Sequence, residues 1–150
     1  MRFEDEIKQT KPFKNNLTKA LLNVIYTGNY LQDITSCNLK EFDINGQHYN
    51  ILRILKGVYP NSVCPGHIKE ILLDKRGDLT RLLDKLEKMK YITRNLNPGN
   101  RRMIEVRITK EGLKLLEAIS NKPDKEDVLK GKLTDKEAVL LSDLLDKIRG

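Results

Sequence analysis

Hydrophobic residues recur at helical spacing over the first part of the chain. Between residues 16 and about 39, the steps between apolar or small residues are four and three: Leu17, Leu21, Val24, Gly28 and Leu31. Such spacing gives a helix one continuous apolar side. We therefore predict a long N-terminal helix with an apolar seam.

Two shorter helices are predicted next. Asn45 is suited to cap a second helix that ends near Gly57 and Pro60. Pro65 is suited to the first turn of a third helix, over residues 65–75. The residues expected to face inward from these two helices are Tyr49, Leu52, Ile54, Leu55, Ile68, Ile71 and Leu72.

The fourth predicted helix has the clearest amphipathic pattern. Its inner side carries Leu79, Leu82, Leu83 and Leu86, at positions i, i+3, i+4 and i+7. The opposite side is polar and charged, with Asp78, Thr80, Arg81, Asp84, Lys85 and Lys88. One side of this helix should pack on the core while the other meets solvent or a partner.

A change to period two then predicts a hairpin. Residues 92–96 and 102–108 have strand character, and the sequence NPGN at 97–100 is typical of a turn. Thr109 is suited to cap a fifth helix, which we expect to be interrupted or bent near Pro123. Thr134 and Glu137 form a capping-box pattern that begins the last helix.

The order of these elements predicts a mainly α (α+β) fold, a winged helix-turn-helix with helices added at both ends. In this arrangement the second helix of the pair enters the major groove of DNA and the hairpin reaches the neighbouring backbone or minor groove. A chain of 150 residues is long enough for one integrated domain.

The distribution of charge agrees with a DNA-binding surface. The formal net charge is +7, and residues 62–112 alone hold 12 Lys or Arg against 7 Asp or Glu. Arg101 and Arg102 follow the predicted turn directly, where the chain itself offers them little to bind. The narrow minor groove of DNA concentrates negative potential and attracts inserted arginine, so we expect these two residues to face DNA.

The residues of this region resemble the MarR family of bacterial transcription regulators. The family pattern has a recognition helix like LTRLLDKL, a wing of the form R-x-x-x-P-x-D-x-R and a closing V-x-L-T-x-x-G. The resemblance covers residues 45 to 118 and includes Thr109 and Gly112. Asn100 stands where the family usually has an acid, so a supporting salt bridge within the wing is lost, although an amide can still accept a hydrogen bond.

The resemblance implies a set of DNA-facing residues. Thr80 and Arg81 are the candidates for contacts to base edges, and Lys85 and Lys88 for contacts to phosphate. Asp78 could accept a hydrogen bond from cytosine or stabilise the start of its helix. The full predicted set is Arg76, Gly77, Asp78, Thr80, Arg81, Lys85, Lys88, Asn100, Arg101 and Arg102.

A homodimer is predicted because the apolar seams of the terminal helices are too long for so small a core to cover. We assign residues 1–44 to an N-terminal dimerisation helix, 45–112 to the DNA-binding lobe and 113–150 to C-terminal dimerisation helices. A two-fold dimer would place its recognition helices about one DNA turn apart, on a pseudo-palindromic operator. The resemblance implies a repressor of this kind that a ligand releases.

The resemblance also implies regulation by a small effector, often aromatic or phenolic. Such a molecule would bind between the dimer helices and the DNA-binding lobe, where the candidate residues are Tyr26, Tyr30, His48 and Arg53. Some relatives sense oxidants through a cysteine instead. Cys37 is the candidate for that alternative, and Cys64 is the second thiol.

Several other functions are disfavoured by the sequence. The two histidines, His48 and His67, belong to no catalytic triad, phosphate loop or metal-binding spacing, so we expect neither an enzyme nor a bound metal or cofactor. No apolar run is long enough for a membrane span and no signal peptide is recognisable, so a cytoplasmic protein is expected. A winged-helix module that contacts an acidic protein remains the alternative to a DNA-binding regulator.

Overall fold

A computed structural model describes residues 2–121 and 128–150 of the chain. These residues form the helices α1 Phe3–Glu6, α2 Asn16–Leu39, α3 Gly46–Val58, α4 Pro65–Ile71, α5 Leu79–Lys88, α6 Lys110–Ser120 and α7 Asp135–Arg149. A 3₁₀ turn, Lys40–Phe42, joins α2 to α3. The strands β1 Ile92–Asn97 and β2 Asn100–Ile108 form an antiparallel hairpin between α5 and α6.

The predicted helix starts are confirmed by their caps. The Asn45 side chain accepts a hydrogen bond from the His48 N–H, and His48 Nδ1 accepts one from the Asn45 N–H, which makes a reciprocal capping box. Thr109 caps α6 through the Gly112 N–H. Thr134 and Glu137 form the expected capping box of α7.

The hydrophobic core lies inside the lobe that α3 to α6 and the hairpin form. All four leucines of the α5 stripe are buried, as predicted, and they belong to the same core cluster as Ile51, Leu52 and Leu55 of α3. Val63 forms a single antiparallel bridge to β2, since its N–H and C=O pair with Val106 at 3.1 and 2.8 Å. This bridge ties the segment before α4 to the hairpin.

Gly112 sets how closely α6 approaches the hairpin. A Cβ at this position would lie 2.7 Å from Ile108 Cγ1 and closer still to the backbone oxygen of Tyr91. Only glycine lets the helix start pack here without displacing the backbone. The closing T-x-x-G of the sequence therefore combines a helix cap with a close contact.

Some details differ from the sequence prediction. The α4 helix ends at Ile71, earlier than expected, and the Ile71 side chain is 46% exposed rather than buried. The strands extend closer to the turn than predicted, to Asn97 and from Asn100. Ile104 of β2 is 42% exposed. The short α1 was not predicted, because four residues show no period. The break predicted near Pro123 lies outside the described residues.

The terminal helices contribute little to this core. Within the described residues, Leu39 is the one buried residue of α2, and α7 has none. Apolar side chains on both helices face solvent, including Leu17 at 82% exposure and Ile148 at 66%. None of the helices in residues 2–121 and 128–150 is both long and apolar enough to cross a membrane.

Candidate nucleic-acid interface

The start of α5 is fixed by Asp78. One carboxylate oxygen, Oδ1, accepts hydrogen bonds from the backbone N–H groups of Thr80 at 3.0 Å and Arg81 at 3.4 Å. The other oxygen, Oδ2, lies 3.8 Å from Arg81 Nε. A carboxylate is favourable at a helix N-terminus. The helix-stabilising role predicted for Asp78 is therefore confirmed.

The turn before α5 is held by an arginine and a carboxylate. Asp74 Oδ1 accepts hydrogen bonds from Arg76 Nε and from the Arg76 N–H, both at 3.0 Å, and Oδ2 accepts one from Nη2 at 3.1 Å. The hydrogen bonds from Arg76 lower the pKa of Asp74 below its ordinary value. Arg76 nevertheless remains 79% exposed along its side chain, so the guanidinium is paired but accessible.

Contacts with α3 position the same turn. The Asn50 side chain accepts a hydrogen bond from the Leu73 N–H at 3.0 Å, and Gln47 Nε2 donates to the Asp74 carbonyl at 3.4 Å. A Cβ on Gly77 would lie 2.6 Å from Gln47 Nε2, so this turn packs directly on the Gln47 amide. A cavity of about 430 Å³ lies beside these contacts, between α2, α3 and the segment after α4.

The outer side of α5 presents polar side chains to solvent. Thr80, Arg81 and Lys88 are exposed. Lys85 is less free, because its Nζ lies 3.0 Å from Oδ1 of Asp43, in the turn before α3. The predicted DNA-facing residues of α5 thus share one side of the helix, and two of the cations among them, Arg81 and Lys85, are paired with carboxylates.

Arg94 of β1 connects the hairpin to α5. Its Nη2 donates to Asp84 Oδ1 at 2.6 Å and to Glu87 Oε2 at 2.7 Å, and its Nε donates to Glu87 Oε2 at 3.1 Å. The Arg94 N–H donates to Glu87 Oε1 at 3.0 Å. The hydrogen bonds from Arg94 lower the pKa of Glu87 and those from Glu87 raise the pKa of Arg94. We call these three residues the Arg94 bracket.

The tip of the hairpin is ordered by asparagine side chains. Asn97 Oδ1 accepts hydrogen bonds from the N–H groups of Gly99 at 2.8 Å and Asn100 at 2.9 Å, and Asn97 Nδ2 donates to Glu105 Oε1 at 2.7 Å. Asn100 Oδ1 accepts a hydrogen bond from the Arg102 N–H at 3.1 Å. The Asn100 amide, which replaces the expected acid, thus holds the backbone at Arg102.

Arg101 and Arg102 project from this ordered tip. Both are exposed, and no ion pair to either occurs among residues 2–121 and 128–150. Arg107, lower on the same strand, is paired with Glu105 at 3.2 Å and donates to the Pro60 carbonyl at 3.1 Å. The two cations at the tip therefore differ from the paired arginines at the base of the hairpin.

Sequence reasoning missed the residues that pair with these cations. The sequence prediction assigns no individual role to Asp43, Asp74, Glu87 or Arg94. The two carboxylates of the Arg94 bracket lie three residues apart on α5, which places them on one side of the helix. This spacing is the signal in the sequence that could have identified the bracket.

The four candidate effector residues do not form a single site. Tyr26 and Tyr30 line one cavity on α2. His48 is buried in the capping box of α3, where burial first and the charge of Lys85 second lower its pKa. Arg53 lies over the Tyr49 ring, 5.8 Å from its centroid, and its Nη1 donates to the Tyr49 hydroxyl at 3.1 Å.

The two cysteines lie on different elements of the chain. Cys37 is exposed on α2 and Cys64 is half-buried before α4, and each is a free thiol. Across the described ranges, no group of three or more His, Cys, Asp or Glu side chains could hold a metal ion.

Comparison with known proteins identifies relatives over most of the chain. A family model described as a winged helix DNA-binding domain matches residues 49–122. The Multiple antibiotic resistance protein MarR of Salmonella typhimurium is 30% identical over 145 residues, which cover 95% of this chain and 99% of that protein. The HTH-type transcriptional regulator PapX of Escherichia coli is 29% identical over 109 residues, 73% of this chain and 65% of that protein.

Solved structures share the fold. A MarR mutant from E. coli complexed with operator DNA has a TM-score of 0.76 at 23% identity, covering 92% of this chain and 99% of that chain. A MarR transcription factor from Planctomyces limnophilus has a TM-score of 0.68 at 29% identity, covering 90% of this chain and 98% of that chain. The chain therefore belongs to the MarR family of DNA-binding, winged helix-turn-helix transcriptional regulators and not to a family of enzymes, as its sequence predicted.

Proposed function

We propose that this protein is a repressor that binds a pseudo-palindromic operator as a homodimer and releases it when a small effector binds. The observation that carries this proposal is the Arg94 bracket, which fastens the hairpin to α5. Because of this link, the exposed side of α5 and the cationic tip of the hairpin can act as one surface. We expect the protein to work in the cytoplasm, where its DNA is.

The chemistry of this surface suits two kinds of DNA contact. Thr80 and Arg81 are exposed near the start of α5, where side chains of a recognition helix reach base edges. Lys88 and the tip arginines Arg101 and Arg102 suit phosphate and the minor groove. Arg76, Gly77, Asp78 and Asn100 then act mainly by shaping the backbone around these side chains.

The terminal helices support a dimer. Leu17, Leu21 and Val24 on α2, with Val139 and Leu144 on α7, remain exposed although they are large and apolar. Several large apolar side chains exposed along one helix favour a contact with another protein surface. A second copy of the chain would cover both helices and would set two recognition helices about one DNA turn apart.

A binding titration tests the proposal. Fluorescence anisotropy would compare a duplex from the promoter region of the protein's own gene with a scrambled duplex at several salt concentrations. We expect steep salt dependence for both duplexes and clear preference for the first. Equal affinity would instead favour a winged-helix module for protein contacts, and absence of binding to either duplex would contradict the proposed surface.

Variants separate the two kinds of contact. Changing both Arg101 and Arg102 to Ala should weaken binding to every duplex and lower the salt slope by about 0.9 per lost phosphate contact. Arg81→Ala should relax preference at one base pair, by about 1 to 3 kcal/mol. The matched control changes Lys136 and Lys147 of α7 to Ala, which removes the same formal charge but should leave the slope unchanged.

A further inference from the structure

The N-terminal segment folds back onto α2 and forms an aromatic cluster. The Phe3 ring stacks on Phe13, with centroids 5.8 Å apart and an interplanar angle of 8°. It also meets Tyr26 edge to face, with centroids 5.6 Å apart. An ion pair between Glu4 and Lys19 fastens α1 to α2 beside these rings. The segment is therefore attached through both apolar and charged contacts.

A cavity of about 360 Å³ lies between α1 and α2, and we call it the aromatic cavity. Its lining combines three aromatic rings with one carboxylate and two smaller polar groups: Phe3, Glu6, Asn23, Tyr26, Thr27 and Tyr30. Tyr26 is 39% exposed and Tyr30 is 49% exposed, so their rings are open to an incoming molecule. None of these six described residues is cationic.

The chemistry of this lining selects for positive charge. The faces of aromatic rings attract ammonium groups, and a nearby carboxylate adds direct attraction. The chain already provides an example, because the Lys132 ammonium lies 5.9 Å from the centroid of the Tyr30 ring. An anionic aromatic acid would be repelled by the Glu6 carboxylate.

The aromatic cavity lies on a different side of α2 from the apolar seam. Successive helical residues are rotated by about 100°, so the centre of the cavity residues is roughly 130° away from the centre of the seam. The cavity residues of α2 are Asn23, Tyr26, Thr27 and Tyr30, and the seam residues are Leu17, Leu21, Val24, Gly28 and Leu31. A partner packed on the seam therefore leaves this side of the helix accessible.

We propose that the aromatic cavity binds a small organic cation, an amine or quaternary ammonium with an apolar substituent, and that Lys132 competes with it for the Tyr30 ring. This proposal gives the chemical class of the effector in the proposed function. Only the effect of the bound cation on operator release rests on the proposed function. The binding itself is a property of Phe3, Glu6, Tyr26 and Tyr30.

Calorimetry with benzyltrimethylammonium as the probe tests the site on the full-length protein. We expect the wild-type protein to bind benzyltrimethylammonium saturably and not to bind benzoate. Tyr30→Leu should weaken binding about two- to fivefold, the equivalent of about 0.5 to 1 kcal/mol for an exposed cation–π contact. Tyr30→Phe keeps the ring and should retain the affinity. Lys132→Ala should tighten binding, because it removes the internal competitor.

A charge control and a fold control complete the experiment. Glu6→Gln should weaken binding, whereas Asp5→Asn, which changes an exposed neighbour outside the lining, should leave it unchanged. Circular dichroism melts would show that each variant folds. Equal binding of benzoate, an unchanged affinity in Tyr30→Leu or a weakened one in Lys132→Ala would overturn the proposal.

Operator release is measured separately, by anisotropy with the same probe. Release at the concentrations that saturate the calorimetric titration would support an effector role for the cavity. Binding of the probe without release would establish the site and refute its place in regulation. An intact operator preference with no probe binding would refute the site while leaving the repressor function standing.

Discussion

The Arg94 bracket gives a quantitative prediction for the stability of the lobe. Arg94→Ala removes three side-chain hydrogen bonds to Asp84 and Glu87. The Arg94 side chain is 23% exposed, whereas the Glu87 side chain is 38% exposed and the Asp84 side chain 56%. A hydrogen bond to a charged group contributes about 1.5 to 3 kcal/mol when buried. An exposed ion pair contributes only about 0.2 to 1 kcal/mol.

The bracket lies between these limits, since its cation is largely buried and its carboxylates are not. We expect Arg94→Ala to lower the free energy of unfolding by about 1.5 kcal/mol at neutral pH. For a chain of this size, that loss corresponds to roughly 3 to 6 °C in melting temperature. Arg94→Lys should lower the free energy of unfolding by an intermediate amount, because an ammonium keeps the charge but cannot form the bidentate contact.

The effect should depend on pH in a defined direction. Arg94 lowers the pKa of Glu87 in the folded protein, so the stabilisation is fully present above the unfolded value of about 4.3 and is lost as the pH falls through the folded value. The difference between wild type and Arg94→Ala should therefore shrink as the pH is lowered from 7 to 3.

Urea denaturation of wild type, Arg94→Ala, Glu87→Gln and the double variant measures this coupling at fixed protein concentration. We expect a coupling energy of about 1 kcal/mol at pH 7 between residues in direct contact. A coupling below about 0.3 kcal/mol, within the scatter of independent sites, would refute the reasoning. So would a stability difference that stays constant down to pH 3.

Three further predictions address packing, charge and assembly. Gly112→Ala should lower the free energy of unfolding, measured by urea denaturation, by about 1 to 3 kcal/mol, because the new Cβ would clash with backbone. Gly57→Ala has open space around the new Cβ and should raise the free energy of unfolding by about 0.5 to 1 kcal/mol. Asp43→Asn should release Lys85 for phosphate, raising affinity for any duplex and steepening the salt slope by about 0.9 in anisotropy titrations; an unchanged slope would contradict this. Leu144→Glu on α7 should convert the proposed dimer to monomers in analytical ultracentrifugation, and a persistent dimer would place the interface elsewhere.

Features set by neighbouring residues could be predicted from the sequence. The leucine stripe of α5 and the caps Asn45, Thr109 and Thr134 each depend on contacts within one or two helical turns. Such contacts repeat at fixed sequence spacing, so a pattern of residue types is enough to identify them. The winged helix-turn-helix followed from the order of these elements.

The pairing of charges could not be predicted, because it depends on tertiary contacts. A count of residues 62–112 treats all of their cations alike. The structure pairs Lys85 with Asp43, 42 residues earlier, and Arg94 with Asp84, but it leaves Arg101 and Arg102 exposed. The formal charge of the segment thus indicates a cationic surface without showing which cations are available to form it.

The N-terminal aromatic contacts were beyond sequence prediction for a similar reason. Phe3 belongs to a helix of four residues, which has no recognisable period, and its partner Tyr26 lies 23 positions later. Tyr26 and Tyr30 were proposed for an effector site, yet nothing in their spacing indicated that Phe3 and Glu6 would close a cavity over them.

The distribution of buried residues indicates that the lobe can fold without the terminal helices. Apart from Leu39, every core residue of the described chain lies between Ile44 and Ile119, so the lobe completes its core without α7. The α7 helix has 15 residues, none of them buried. Isolated helices of about 12 to 15 residues are marginal in water, so α7 needs a partner surface to be stable. Helix content should therefore fall on dilution below the dissociation constant of the proposed dimer, while the tertiary signals of the lobe persist. A concerted loss of both would mean that the lobe also depends on the partner.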